Sequence, residues 1–268
     1  MKYFLSKNKE VSLNRTPHQS GFTLIELITV IVILSIIATI GTGFVVKTTE
    51  SYQRTQTRAL LVNTARQALE RMTRQLRGAL PYSVRIINGG NCAEFMPIAA
   101  GGNYLLAVPD QENGVAIKNT VSIAPFTVDF GTARFVSIGA MQASEIYGAS
   151  PASLAVYSNV AAGTLTLAAT KRWQRNSINK RFYILDNPQA FCVVGNELRF
   201  YHTVDVQDAT INLTSAYDVV ARNVAGAIPF VLQNGSENRN TRIDVSLDFT
   251  SGDETINYTQ GVFIRNVP

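Results

Sequence analysis

The chain has 268 residues, a net charge of +5 and a charged fraction of 16%, below the about 25% of an average soluble domain. Its length allows one sizeable domain or two small ones. Most of the positive excess lies in residues 1–21, where Lys2, Lys7, Lys9 and Arg15 face only Glu10; the rest lacks the basic balance of a nucleic-acid binder.

From Phe22 to Val46 runs an apolar segment whose one charge is Glu26. As a helix rising about 1.5 Å per residue it spans roughly 37 Å, enough to cross a bilayer with some tilt. A carboxylate inside such a run is costly and invites a functional reading. An ordinary secretory signal is cut after its apolar segment, beyond small residues. Gly41-Thr42-Gly43 offers such a site, but the run before it is long for that purpose. With the positive excess ahead of the helix, the amino terminus is expected to stay in the cytoplasm and the body to be exported. Gly41 and Gly43 each weaken a water-exposed helix by about 1 kcal/mol. They permit local melting when the helix leaves the lipid, or are the ordinary small residues of a membrane helix.

Gly21-Phe22-Thr23-Leu24-Ile25-Glu26 followed by an apolar helix resembles the class III signal of type IV pilins and type II secretion pseudopilins. The wider sequence resembles minor pilins, in particular the MshO type of mannose-sensitive haemagglutinin pili. The resemblance implies that prepilin peptidase cuts after Gly21 and methylates the new amine of Phe22, while the apolar helix is retained. Glu26 then becomes the fifth residue. Either it snorkels to the headgroups from less than two turns in, or, as the resemblance implies, it pairs with the Phe22 amine of a neighbouring subunit. At about 4 Å and an effective dielectric of about 20 such a pair interacts by roughly 4 kcal/mol before desolvation. The 21-residue leader is longer than many in that family.

Nothing between Lys47 and Leu80 breaks a helix before Pro81. Leu61, Ala65, Ala68, Met72, Leu76 and Ala79 recur at helical spacing, and Leu60, Leu69 and Leu80 widen the stripe. The spacing predicts one helix over 22–80. Its amphipathic half needs a partner surface, which the following body supplies. Arg54, Arg58, Arg66, Arg71, Arg74 and Arg77 lie mostly on the other face with Glu50 and Glu70. That is a solvated face, or a surface that docks acidic neighbours in a filament. The stretch from Arg74 to Arg85 is similar to the helix exit of J-type minor pseudopilins.

From Tyr82 on, short alternating or β-branched runs are separated by Gly, Asn, Asp and Pro. Strands are predicted at Ser83–Ile87, Ala93–Pro97, Tyr104–Val108, Val121–Phe130, Arg134–Ser137 and Leu165–Ala169. Others are predicted at Arg181–Leu185, Ala190–Val194, Glu197–Val204, Pro229–Leu232, Arg242–Phe249 and Thr255–Arg265. Val194-Gly195-Asn196-Glu197 and Ser251-Gly252-Asp253-Glu254 read as tight turns. Val219–Val224 is a short helix or a strand. Residues 103–177, rich in Ala, Gly and Ser, read as an inserted subdomain, and 262–268 resembles the closing strand of minor pilins. With both placed outside the cytoplasm by the orientation above, Cys92 and Cys192 form a disulfide, stabilising by up to about 4.7 kcal/mol in the chain-entropy model, or are two separate buried thiols.

No P-loop, no strand-borne GxGxxG and no HExxH appear, and no Cys/His cluster has zinc spacing. The two histidines are His18, in the leader, and His202; a Ser-His-Asp arrangement in the body would have to use His202, which reads better as an ordinary strand histidine. Asp244, Asp248, Asp253 and Glu254 offer oxygens for calcium, which some pseudopilins bind, but without EF-hand spacing. Lys171, Arg172, Trp173 and Arg175, followed by Lys180 and Arg181, form a basic patch. It reads as a solvated loop with a half-buried Trp173, or as a site for single-stranded nucleic acid by charge and stacking, or for a glycan.

The expected fold is α+β: a long amino-terminal helix, half membrane-spanning and half amphipathic, packed on an antiparallel sheet. The expected organisation is a leader (1–21), a spanning helix (22–46), its amphipathic continuation (47–80) and a β-rich body (81–268). The resemblance implies a non-enzymatic minor pilin without cofactor. Its implied partners are prepilin peptidase, other minor and major pilins, the inner-membrane assembly platform and, before assembly, membrane lipid. A J-type pseudopilin, or an anchored adhesin or ligand-binding domain that never polymerises, are the alternatives.

Overall fold

The computed structural model describes residues 21–125, 127–129, 131–235 and 240–265. The expected leader up to Ser20, with His18, and also Phe130 and residues 266–268 of the predicted closing strand, lie outside them. The chain divides into two units, Met1–Gln53 and Arg54–Pro268, and one helix, α1 (Leu24–Arg77), runs through the boundary.

In the first unit α1 is the apolar run, and it is the one described helix long and apolar enough to cross a membrane. Its hydroxyls are satisfied within the helix. Thr29 donates to Glu26 O at 2.9 Å, Ser35 to Ile31 O at 2.7 Å, Thr39 to Ile36 O at 2.9 Å and Thr42 to Thr39 O at 3.0 Å. Such back-bonding lets Ser and Thr sit in hydrocarbon without an outside partner.

In the second unit the predicted stripe is the buried face. Leu61, Ala65, Ala68, Leu69, Met72 and Leu76 are buried, but Leu60 is 62% exposed, because it falls outside the arc that meets the sheets. The helix stops three residues short of the predicted Leu80. Gly78 donates to Gln75 O and Ala79 to Leu76 O, both at 3.1 Å, and the chain then leaves to bridge Ala79 with Pro97. Leu80 donates to Met96 O at 2.8 Å, so a sheet partner takes over from the helix before Pro81 forbids it.

Fifteen strands follow among the described residues: β1 (Arg85–Ile87), β2 (Cys92–Phe95), β3 (Ile98–Asn103), β4 (Lys118–Ser122), β5 (Phe135–Ile138), β6 (Leu154–Ala161), β7 (Thr164–Lys171), β8 (Arg181–Leu185), β9 (Gln189–Val194), β10 (Glu197–Tyr201), β11 (Asp218–Arg222), β12 (Val224–Ala225), β13 (Phe230–Gln233), β14 (Thr241–Ser251) and β15 (Glu254–Ile264). One sheet has the order β1-β2-β9-β10-β11; in a second, β14 pairs with β12 and β13 and with β15. Both contribute to one core with the amphipathic half of α1: Phe95, Phe191 and Phe200 from the first sheet, Phe230, Val245, Leu247 and Phe249 from the second. The α+β architecture is therefore observed.

The third sheet has the order β3-β8-β5-β6-β7-β4, every neighbouring pair antiparallel. It closes on itself. Tyr104, just past β3, bridges Ile123, just past β4; Leu105 donates to Ser122 O at 2.8 Å and Ala124 to Asn103 O at 2.9 Å. The result is a six-stranded barrel filled by Tyr104, Val121, Ile123, Val136, Leu165, Trp173, Phe182 and Ile184. In sequence it lies between β2 and β9, which are themselves neighbours in the first sheet.

Several predicted strands move. Tyr104–Val108 is not a strand; the pairing lies just before it, on β3, where Ala99, Ala100 and two glycines hid the signal. Val121–Phe130 shifts back to β4, and β6 was not predicted, since its exposed polar residues blur the alternation. Val219–Val224 resolves into β11 and β12, separated by Asn223 at φ 60°. That corner turns the chain from the first sheet to the second. Both predicted tight turns are present, with Gly195 at φ 60° and Gly252 at φ 59° joining β9 to β10 and β14 to β15; positive φ is what a hairpin of this length asks of glycine.

Candidate functional site

Gly21, Phe22 and Thr23 precede α1 in non-helical backbone, the state in which a peptidase can reach a bond. The first turn is a capping box. Glu26 N donates to Thr23 Oγ1 at 3.3 Å, and the Glu26 carboxylate accepts from Thr23 N at 3.5 Å and Thr23 Oγ1 at 3.4 Å. Thr23 and Glu26 thus satisfy each other at the end of the helix that favours negative charge. The Phe22 ring is 79% exposed. The segment assembles a free, unwound Gly21–Phe22 bond, an aromatic residue directly after it and a carboxylate one turn on.

Cys92 and Cys192 are joined by a disulfide. They face each other in the β2–β9 register, so the bond ties the two strands between which the barrel is inserted. Ala190, Tyr201, Val204 and Ile211 pack around it.

The basic segment corrects the sequence reading. Trp173 is neither half-buried nor offered as a stacking platform; it is 1% exposed and fills the barrel. Its amide donates to Pro109 O at 2.8 Å. Lys171 donates to Pro151 O and lies 5.8 Å from the Trp173 ring. Arg172 donates to Asp110 O at 2.5 Å. Arg175 grips both Glu145 oxygens at 2.8 Å and donates to Gly139 O at 2.8 Å. Burial raises Glu145, but the Arg175 fork, the Met141 amide and the Ser153 hydroxyl outweigh it and hold its carboxyl below the usual range. These cations bond to the loops that connect the barrel's own strands. Lys180, likewise, donates to Leu105 O at 3.1 Å.

The other candidates are placed apart. His202 is exposed, with Nε2 2.7 Å from Asp218 Oδ2 and its ring edge-on to Phe200 at 4.6 Å. Asp218 also accepts from Arg71 at 3.2 Å, and Arg71 lies over the Phe200 ring at 5.1 Å. His202 first and Arg71 second hold Asp218 below the ordinary carboxylate range. Arg71, read as part of a solvated face, is instead a clamp between α1 and the first sheet. Asp244 is bound by Arg242 at 2.7 Å and Gln233 at 3.0 Å, and Asp248 by Asn257 at 2.6 Å. Asp253 sits in the turn and Glu254 opens β15. Among the described residues no group of three or more His, Cys, Asp or Glu could hold a metal ion.

One buried carboxylate had no sequence signal. Glu94 on β2 is 0% exposed and meets Arg85 Nε at 2.6 Å. Arg85 also stacks 3.9 Å from the centre of the Tyr147 ring and donates to Asp208 O at 2.6 Å. Tyr147 donates to Ser83 O at 2.8 Å. The β1–β2 pair, Tyr147 and Asp208 meet there, three segments distant in sequence, which no local pattern announces.

In comparison with known proteins, the Prokaryotic N-terminal methylation motif family matches residues 16–42. No curated protein and no solved structure matches the chain. Motif and long apolar helix together support a type IV pilin-like protein, processed by prepilin peptidase, assembling with other pilins and anchored in the inner membrane by a single helix.

Proposed function

We propose that this chain is a minor type IV pilin of the kind that serves mannose-sensitive haemagglutinin pili, a structural subunit rather than an enzyme. The observation that carries the reading is the unwound Gly21–Phe22 bond set against a capped apolar helix with one carboxylate, inside the matched methylation motif. In this reading residues 1–21 are removed and Phe22 is methylated. The body is held on the periplasmic side by the 22–46 segment, with 47–80 as its amphipathic continuation. The subunit then joins other minor and major pilins at the assembly platform, in the complex that starts the fibre and stays at its tip. Glu26 gives up its bonds to Thr23 and pairs with the Phe22 amine of a neighbour, fixing the axial register of the two helices. Residues 81–268, with the barrel inserted in them, are what the fibre displays. A J-type pseudopilin would share all of this up to the choice of partner complex.

Amino-terminal analysis of the protein from its native membrane tests the reading. The expected result is a chain that begins at N-methylated Phe22. An uncut leader, or a chain that begins after Gly43, would overturn it. Co-purification with pilus subunits rather than with secretion-system subunits separates the pilin from the pseudopilin.

A further inference from the structure

Every neighbouring pair in the barrel is antiparallel, so β3, β5 and β7 run one way along it and β4, β6 and β8 the other. The β3–β4 (104–117), β5–β6 (139–153) and β7–β8 (172–180) loops therefore share one end. The entry to β3 and the exit from β8, which tie the barrel to the first sheet, lie at the other. The three loops are bonded to one another. Trp173 N donates to Pro109 O at 2.8 Å, Asn176 Nδ2 to Val108 O at 3.0 Å and Gln174 N to Ala152 O at 3.1 Å, and Arg175 holds Glu145.

This end exposes apolar side chains that the barrel core does not use. Ile178 is 74% exposed, Leu106 63% and Leu105 51%, and Ile117 and Met141 on the same loops are exposed as well. Lys180 N donates to Ser177 O at 3.0 Å, which sets Ile178 at the tip of a turn. That turn lies against Leu105: Tyr104 N donates to Lys180 O at 2.8 Å, and Lys180 Nζ donates to Leu105 O at 3.1 Å. Leu105, Leu106 and Ile178 thus form one patch rather than scattered single residues. The charge around it is one-sided. The three loops and the strand residues that flank them hold Lys118, Lys171, Arg172, Arg175, Lys180 and Arg181 against Asp110, Glu112 and Glu145. Asp110 and Glu145 are buried, the first bound by the Glu112 and Asn113 amides and the second by Arg175, which leaves Glu112 as their exposed carboxylate. The loops at the other end, 123–134 and 162–163, carry Asp129 and Arg134, one charge of each sign.

We propose that this end of the barrel docks on the surface of an anionic phospholipid bilayer. Ile178, Leu105 and Leu106 enter the boundary between headgroups and acyl chains, about 5–10 Å deep. Lys180 meets the phosphates: its ammonium carries three donors, of which Leu105 O takes one. The stems of the surrounding Lys and Arg lie along apolar surface while their charged ends stay at the headgroups. A protein contact of this kind centres on aromatic and Arg anchors, whereas aliphatic side chains on loops, ringed by cations, match lipid. This inference does not depend on the pilin reading, since it concerns the barrel end alone.

The test uses the full chain held by its own helix in phosphatidylcholine nanodiscs, with an environment-sensitive dye on Leu106→Cys. The nanodiscs are mixed with vesicles of phosphatidylcholine alone or of phosphatidylcholine with phosphatidylglycerol. The anionic vesicles should carry the nanodiscs up a density gradient, shift the dye emission to the blue and quench it when their acyl chains are brominated. Leu105→Ser combined with Ile178→Ser should keep the native denaturant midpoint, because both side chains are exposed, yet bind the anionic vesicles about tenfold less. Lys180→Gln should weaken binding about fivefold at low salt, and raised salt should weaken binding of the native chain. The proposal is overturned if the double variant floats as well as the native chain, or if neutral vesicles bind as strongly as anionic ones. It is equally overturned if the dye shifts only when detergent-solubilised proteins of the native membrane are added, which would make the patch a protein contact.

Discussion

Glu94 has the Arg85 guanidinium 2.6 Å from one oxygen and no partner for the other, Oε1. Burial pushes its pKa up to about 6 from 4.5, against the opposing pull of Arg85. Because the folded value lies above the unfolded one, protonation favours the fold. This contribution is complete below 4.5 and is lost as the pH rises through about 6. A shift of this size is worth on the order of 2 kcal/mol. Denaturant unfolding of the native chain and of Glu94→Gln should therefore differ in pH dependence. Between neutral pH and about 4 the native chain should gain on the variant by that order; a constant difference would show that Glu94 keeps an ordinary pKa. At the other end of the chain, Glu26 has no buried partner and caps its own helix. Glu26→Ala should leave membrane insertion intact and impair incorporation into the fibre, measured by recovery in sheared pili; unchanged incorporation would remove the pairing role.

The helix α1 changes its means of support along its length. Up to Val46 it is apolar all round but for Glu26, and its hydroxyls bond to its own carbonyls. Past Arg54 one stripe is buried against two sheets and the opposite face carries arginines. The two designs answer two solvents, lipid and water. The second half is thus held by packing rather than by propensity. Met72, fully buried among aromatic residues, should cost about 2–5 kcal/mol when replaced by Ala. Leu60→Ala, on the exposed side, should stay within about 0.5 kcal/mol. Chemical denaturation of the two variants tests the assigned face, and equal effects would contradict it.

For the body as a whole, the position of the disulfide is informative. β2 and β9 are neighbours in the first sheet, yet the entire barrel lies between them in sequence. Pairing them therefore closes a long loop, with a cost in chain entropy. The Cys92–Cys192 bond spans that loop, with a separation of 100 residues. Cys192→Ser should destabilise the body by about 2–5 kcal/mol, read as a fall in the denaturant midpoint. A midpoint equal to that of the native chain would show that the pairing needs no staple. The barrel fixes a second feature at this scale. Arg175 and Glu145, distant in sequence, meet in the loops beside it, and Trp173 is drawn into its core.

Features set by short-range chemistry were legible in the sequence. The apolar run, the Gly21–Glu26 motif, the stripe from Leu61 to Leu76 and the turns at Gly195 and Gly252 all follow from local spacing, hydropathy and the φ that glycine permits. The α+β class followed from the change of period near Tyr82. What required the tertiary structure were facts about distant partners. Ring closure through Tyr104 and Ile123 depends on pairing across the barrel. The burial of Trp173 reverses the meaning of its basic neighbours, and Arg71 is a clamp only because Asp218 lies opposite. The patch of Leu105, Leu106 and Ile178 belongs to the same class: a loop's sequence states its hydropathy, but which loops share an end is decided by the strand order of the whole barrel.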